Sequence, residues 1–136
     1  MAYKHVDIVA AQSSKRPGDV CGDVLQWRRD ATATTAVLAD GIGSGIRANI
    51  AATLCASRLM ALIQGGMSLR HAFAELVRTM DGNREPTRPF AAFTAVRVLN
   101  DGQATVLSYE TPGTLLVSHR HATVLPQRCV SMGEGL

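Results

Sequence analysis

Aromatic residues are scarce in this 136-residue chain, where three Phe, two Tyr and one Trp make up 4% of the positions. So few rings exclude a stacking platform for single-stranded nucleic acid, and they leave Ala, Val, Leu and Ile to build the core. A continuous basic stripe is missing as well. The net charge is only +3, and the basic residues at Lys15-Arg16, Arg28-Arg29 and Arg84 to Arg88 are scattered. A nucleic-acid partner is therefore not expected, whereas an acidic or phosphorylated substrate stays compatible. The three cysteines, Cys21, Cys55 and Cys129, include no CxxC pair. This argues against a zinc knuckle or a thioredoxin-type site and for free thiols in a reducing cytoplasm. The opening MAYKHVDIVAAQ holds no apolar stretch of signal-peptide length, and no uninterrupted apolar run reaches about 18 residues. No membrane association is expected, and the expected location is cytoplasmic. A nucleophile elbow is absent too, so no Ser or Cys nucleophile is indicated.

What is present describes an ordinary globular chain, 46% hydrophobic and 18% charged, that can bury a core without staples. Its length fits a single domain over residues 1–136. His5 to Ala11 alternates and predicts a strand, followed by the polar loop SSKRPGD with Pro17 and Gly18 as breakers. Asp23 to Arg29 predicts a short strand, with a turn at Arg28-Arg29-Asp30 into a buried strand from Thr32 to Ala39 that stops at Asp40-Gly41. After GIGSG the period changes. Ile46, Ile50, Thr53, Leu54, Ser57 and Ala61 fall on one side, and Ala48, Ala51, Ala52, Cys55 and Leu59 on an adjoining one. A helix apolar over so much of its circumference is expected to lie sandwiched in the interior. Ser68 is the expected N-cap of a second helix carrying Leu69, Phe73, Leu76, Val77 and Met80 on one face, closed by Asp81-Gly82-Asn83. Two hairpins follow. One joins Ala91 to Leu99 and Ala104 to Tyr109 through Asn100-Asp101-Gly102, the other joins Thr114 to Ser118 and His121 to Leu125. Strands, two helices and strands again predict an α+β layered domain, helices packed on one face of a largely antiparallel sheet.

The chemistry lies in Gly22-Asp23 and Ala39-Asp40-Gly41-Ile42-Gly43-Ser44-Gly45. Asp40 ends a buried strand ahead of a glycine loop, so its carboxylate and the Gly41 carbonyl can face one cavity. Asp23, at the head of the neighbouring strand, can reach the same place. Oxygen donors of this kind suit Mg²⁺ or Mn²⁺, which would activate a bound water for attack on phosphorus. The competing reading is a capped turn, since Asp-Gly is common at turns. GIGSGI is not a dinucleotide loop, for it lacks the GxGxxG spacing and a later acidic partner. Lys15-Arg16 could contact a phosphate or belong to a solvated loop. His119 and His121 would share one face of a strand, a geometry able to hold a metal, but a solvent-facing hairpin tip is the preferred reading. His5 and His71 are isolated, and Trp27 is core or partner surface.

These residues resemble the PPM metal-dependent protein phosphatases, and in particular the bacterial branch typified by stage II sporulation protein E. The resemblance runs through Gly22-Asp23, the Ala39 to Gly45 motif, the Ala-rich helix and the strand Phe90-Ala91-Ala92-Phe93-Thr94-Ala95-Val96. It continues through Tyr109 to Val117 with Pro112-Gly113 and ends at Met132-Gly133. It implies a PPM-like layered α/β sandwich with mainly antiparallel sheets and two packed helices. It also implies that Asp40 is the carboxylate shared by two Mn²⁺ or Mg²⁺ ions and acts in catalysis through a metal-bound water. Gly41 would bind one ion through its carbonyl, with Asp23 in support. The implied reaction is hydrolysis of phosphoserine or phosphothreonine on a phosphorylated regulatory protein, such as an anti-sigma-factor antagonist. The two helices would match elements that the family associates with regulation. The family carries further metal-binding aspartates after the segment matched by Met132-Gly133, and this chain stops at Leu136. It is expected to be the N-terminal and central portion of a longer enzyme in preference to a naturally short relative. One ion or none is then expected here, and a second copy, in a homodimer, is a natural cover for exposed edges. The competing functions are a non-catalytic phosphatase-like module that binds a phosphoprotein, and an unrelated α+β binding domain.

Overall fold

The computed structural model describes residues 4–14, 17–43, 45–83 and 88–128. Its elements are β1 (Asp23–Arg29), β2 (Ala33–Gly41), α1 (Gly45–Gln64), α2 (Leu69–Gly82), β3 (Ala91–Leu99), β4 (Ala104–Tyr109), β5 (Leu115–Ser118) and β6 (His121–Val124). β1 to β4 form an antiparallel sheet in sequence order, and β5 with β6 forms a separate hairpin. The expected α+β order is therefore the observed one.

The two faces of the four-stranded sheet follow from the period-two alternation of β2. Val37, Ala39 and Gly41 point to the helices and are buried, whereas Leu38 and Asp40 point the other way and are exposed. Small residues let α1 approach the sheet closely: Ala48, Ala51, Ala52, Cys55 and Ala56 are all buried. α2 fills the space beyond them with Phe73, Leu76, Val77 and Met80. The rings of Phe73 and Phe93 sit 4.8 Å apart, and those of Phe93 and Tyr109 5.4 Å apart. Such tilted pairs add to what their buried area contributes. Gln26 reaches from β1 to α1, its Nε2 donating to Ser57 Oγ at 2.9 Å. The N-cap of α2 is Ser68, whose hydroxyl oxygen accepts from His71 N at 3.2 Å.

Several expectations need correction. Residues 5–11 form no strand. No sheet neighbour pairs with them among the described residues, and they are held at isolated points. The Lys4 amide donates to Asn100 O at 2.9 Å, and Arg29 donates to the Val6 carbonyl. β1 runs through Arg28 and Arg29, and the turn falls later, at Asp30 to Thr32. There Asp30 Oδ1 accepts from Thr32 N at 2.7 Å and Ala33 N at 2.9 Å. These bonds, Thr32's first, hold the Asp30 carboxyl below its ordinary range. β2 does not stop before Asp40-Gly41 but includes both. α1 is not sandwiched. Only its small-residue face is covered, while Ile46, Ile50 and Leu54 are each more than half exposed. The apolar pattern alone could not decide which face the sheet would take, and the close approach selected the alanines. α1 is also long and apolar enough to cross a bilayer by length and composition, and its small-residue face packs on β1 and β2.

Candidate metal centre

Asp23 and Asp40 are direct cross-strand partners in the β1–β2 register. The Gly41 amide donates to Gly22 O at 3.0 Å, so residues 22 and 41 are the hydrogen-bonded pair at this end of the ladder. In an antiparallel sheet these pairs alternate, which makes Asp23 and Asp40 the closer, non-hydrogen-bonded kind, with Cα atoms about 4.5 Å apart. Directly opposed residues project from the same face. Two carboxylates thus face each other on the side of the sheet that the helices do not cover, and both residues are exposed. Like charges directly opposed are unfavourable, and a cation between them would favour the arrangement.

Gly41 is present for a different reason. A Cβ there would stand 1.8 Å from the backbone oxygen of Ala48, and one at Gly22 would stand 2.9 Å from the Ala48 Cβ. Glycine at these two positions lets the first turns of α1 sit directly on both strand ends. An extended residue shows its N–H and C=O to the same neighbour, so the Gly41 carbonyl, like its amide, lies in the sheet plane on the β1 side. It is aimed toward the strand that carries Asp23 and does not share the outward direction of the carboxylates. Gly43, with φ +108°, then breaks the extended path and starts the loop to α1.

Other predicted residues lie elsewhere. Lys15, Arg16, Ser44 and Met132-Gly133 fall outside the described residues, as does Cys129. His119 adopts φ +50° in the β5–β6 turn and does not share a strand with His121; both are exposed, as a hairpin tip requires. Trp27 is neither core nor fully exposed: it lies 47% exposed, with the Arg29 guanidinium 5.3 Å from its ring centroid. Cys55 is fully buried, and desolvation pushes its thiol up to about 12. It stays protonated at neutral pH and offers no nucleophile.

Sequence reasoning missed neighbours that the fold brings in. Thr94, on the same face as Asp40, has its hydroxyl 2.6 Å from that of Thr111 and 3.4 Å from that of Ser108. Asn49, on α1, donates to Cys21 O at 2.9 Å. A lone amide on an alanine-rich helix was the signal available for it. A cleft of about 690 Å³ lies apart from the acidic pair, between α2, β4 and residues 125–128. Tyr109 spans its wall by donating to Asp81.

The donor set can be tested against the expected ions. Two carboxylates and a backbone carbonyl are hard oxygen ligands, which fit Mg²⁺ or Mn²⁺ and not a thiolate- or imidazole-seeking metal. Among the described residues no group of three or more His, Cys, Asp or Glu gathers.

Comparison with known proteins bears on the fold. The architecture is that of PP2C-type phosphatase domains. It superposes on the phosphatase domain of the cell-fate determinant SpoIIE from Bacillus subtilis with a TM-score of 0.75 at 17% identity, covering 91% of this chain and 37% of that one. A Mycobacterium tuberculosis protein with RsbU and RsbW domains gives 0.66 at 17% identity, over 84% of this chain and 32% of the other. RsbX, solved in complex with magnesium, gives 0.54 at 15% identity, over 71% and 55%. The chain thus spans between about a third and just over half of these solved chains. No curated protein matches. Residues 30–133 match the stage II sporulation protein E (SpoIIE) family, and the chain belongs to that family.

Proposed function

We propose that Asp23, Asp40 and Gly41 form the cation-binding corner of a protein phosphatase that hydrolyses phosphoserine or phosphothreonine on a regulatory protein. The observation that carries this reading is the close-pair register of the two aspartates at the strand end against which α1 abuts. Magnesium or manganese bound there would supply an activated water and offset negative charge on the phosphoryl oxygens. The chain's own contribution is placement. Asp40 and Asp23 present four carboxylate oxygens on one face, and the Gly41 carbonyl lies beside them toward β1. The magnesium found with RsbX favours a hard divalent ion in this fold. Lys15 and Arg16 are proposed to contact the phosphate. The proposed substrate is a phosphorylated signalling protein, such as an anti-sigma-factor antagonist, in keeping with the sporulation and Rsb-type relatives. Residues 1–136 are proposed to form a single domain of this family.

A second reading rests on the acidic count. With two carboxylates gathered among the described residues, the chain could serve as a phosphatase-like module that binds a phosphoprotein without cleaving it. One experiment separates the two. A phosphopeptide is incubated with the chain and Mn²⁺, and phosphate release is followed alongside calorimetric Mn²⁺ titration. The enzyme reading expects release and metal uptake that both vanish in Asp40→Asn. Phosphopeptide binding without release supports the module.

A further inference from the structure

The backbone that leads into Asp23 is gripped from three directions. The Cys21 carbonyl accepts from Asn49 Nδ2 at 2.9 Å. The next carbonyl, of Gly22, accepts from the Gly41 amide at 3.0 Å. The next again, of Asp23 itself, accepts from Gln12 Nε2 at 2.8 Å. Three consecutive carbonyls are thus bound by α1, by β2 and by the segment ahead of β1. Sheet pairing accounts for the middle bond only. The outer two come from side chains distant in sequence, and they bracket the residue that carries the carboxylate.

Asp23 is the first residue of β1, a place where a strand ordinarily frays because pairing exists on one side only. Asn49 is half-buried on the face of α1 beside Ala48. The Thr53 hydroxyl lies 3.5 Å from Asn49 Oδ1, on the side of the amide that leaves Nδ2 for Cys21. We propose that Asn49 and Gln12 are positioning residues of the cation corner, fixing the backbone of Asp23 so that its carboxylate stands opposite that of Asp40. They touch neither ion nor substrate. Their effect is to remove backbone freedom that would otherwise be lost when the ion binds, which is how supporting bonds around metal ligands raise affinity. The inference rests on the cation reading given above.

The test is calorimetric titration of the full chain with Mn²⁺, with urea unfolding of the metal-free protein in parallel. Asn49→Leu keeps the bulk and removes the donor, and it is expected to weaken Mn²⁺ binding about ten-fold. Gln12→Ala, in an exposed segment, is expected to weaken it about three-fold, the smaller effect following from its exposure, with the metal-free unfolding midpoint unmoved. Wild-type affinity in both variants overturns the proposal. So does a lowered unfolding midpoint with unchanged affinity, the signature of a purely structural role. Should Asn49→Leu fail to fold, Gln12→Ala decides alone. If the unsubstituted chain takes up no Mn²⁺, or if Asp40→Asn binds it equally well, the cation reading has failed first, and the positioning role falls with it.

Discussion

The two faces of the four-stranded sheet are built from the same strands by alternate residues, yet they do different work. On the helix side Val37, Ala39, Phe93 and Ala95 are fully buried, and Gln26, the cross-strand partner of Val37, is satisfied there by Ser57 of α1. On the other side the alternate residues of the same strands include Asp40, Leu38 and Thr94, where Leu38 remains 50% exposed. The first face supplies most of the hydrophobic stabilisation. The second spends some of it on opposed carboxylates and a hydroxyl cluster. The difference teaches that stability and chemistry are separated here by a period of two, so positions on the two faces should respond to substitution to very different degrees.

The largest test of that separation is Phe93→Ala against Leu38→Ala. Removing the buried ring is expected to cost about 3–5 kcal/mol, enough to unfold a marginal domain. The half-exposed leucine is expected to cost about 1 kcal/mol. Urea denaturation of both variants measures the gap, and equal losses would mean that the far face is covered in solution. Gly41→Ala comes next. With its Cβ forced against the Ala48 backbone oxygen, it is expected to cost about 1–3 kcal/mol by overpacking and to disturb Mn²⁺ uptake through the displaced α1. A variant that kept full stability but lost the metal would place the role of Gly41 on the ligand side alone. The smallest effect belongs to Asp30, well away from the acidic pair. Its folded carboxyl is held below 3.8, so its stabilisation is fully present above about pH 4 and is lost as pH falls through the lowered value. Asp30→Ala is expected to cost about 0.5 kcal/mol at neutral pH, since the turn is exposed and screened. It should also flatten the acid limb of a stability-versus-pH curve.

Much of the helix face could be read directly from the residues. β-branched runs, the Asp101-Gly102 turn and the Ser68 cap each act locally, so β1 to β4 and both helices stand close to where their patterns put them. The acidic corner was legible too, because an aspartate at the end of a buried strand and a second at the head of its neighbour suffice to suggest opposition. What was not legible depended on partners remote in sequence. Residues 5–11 alternate like a strand, but alternation does not supply a neighbour to pair with. α1 carries two apolar faces, and only the space left by the sheet chose between Ala52 and Ile50. Asn49 bonds Cys21 across 28 positions, a separation that no local pattern registers. The Gly41 carbonyl lies toward β1 for a related reason. Which edge a strand residue presents is set by the parity of its pairing, and composition carries no record of parity.

Ala48 faces Gly22 with its methyl and Gly41 with its backbone carbonyl, and a single residue therefore gauges the distance between two strand ends. A synthetic hairpin copying residues 21–42 would include both aspartates and still miss the helix that keeps them in step. Transplanting this corner into another scaffold would require the opening turns of α1 to travel with it as one unit.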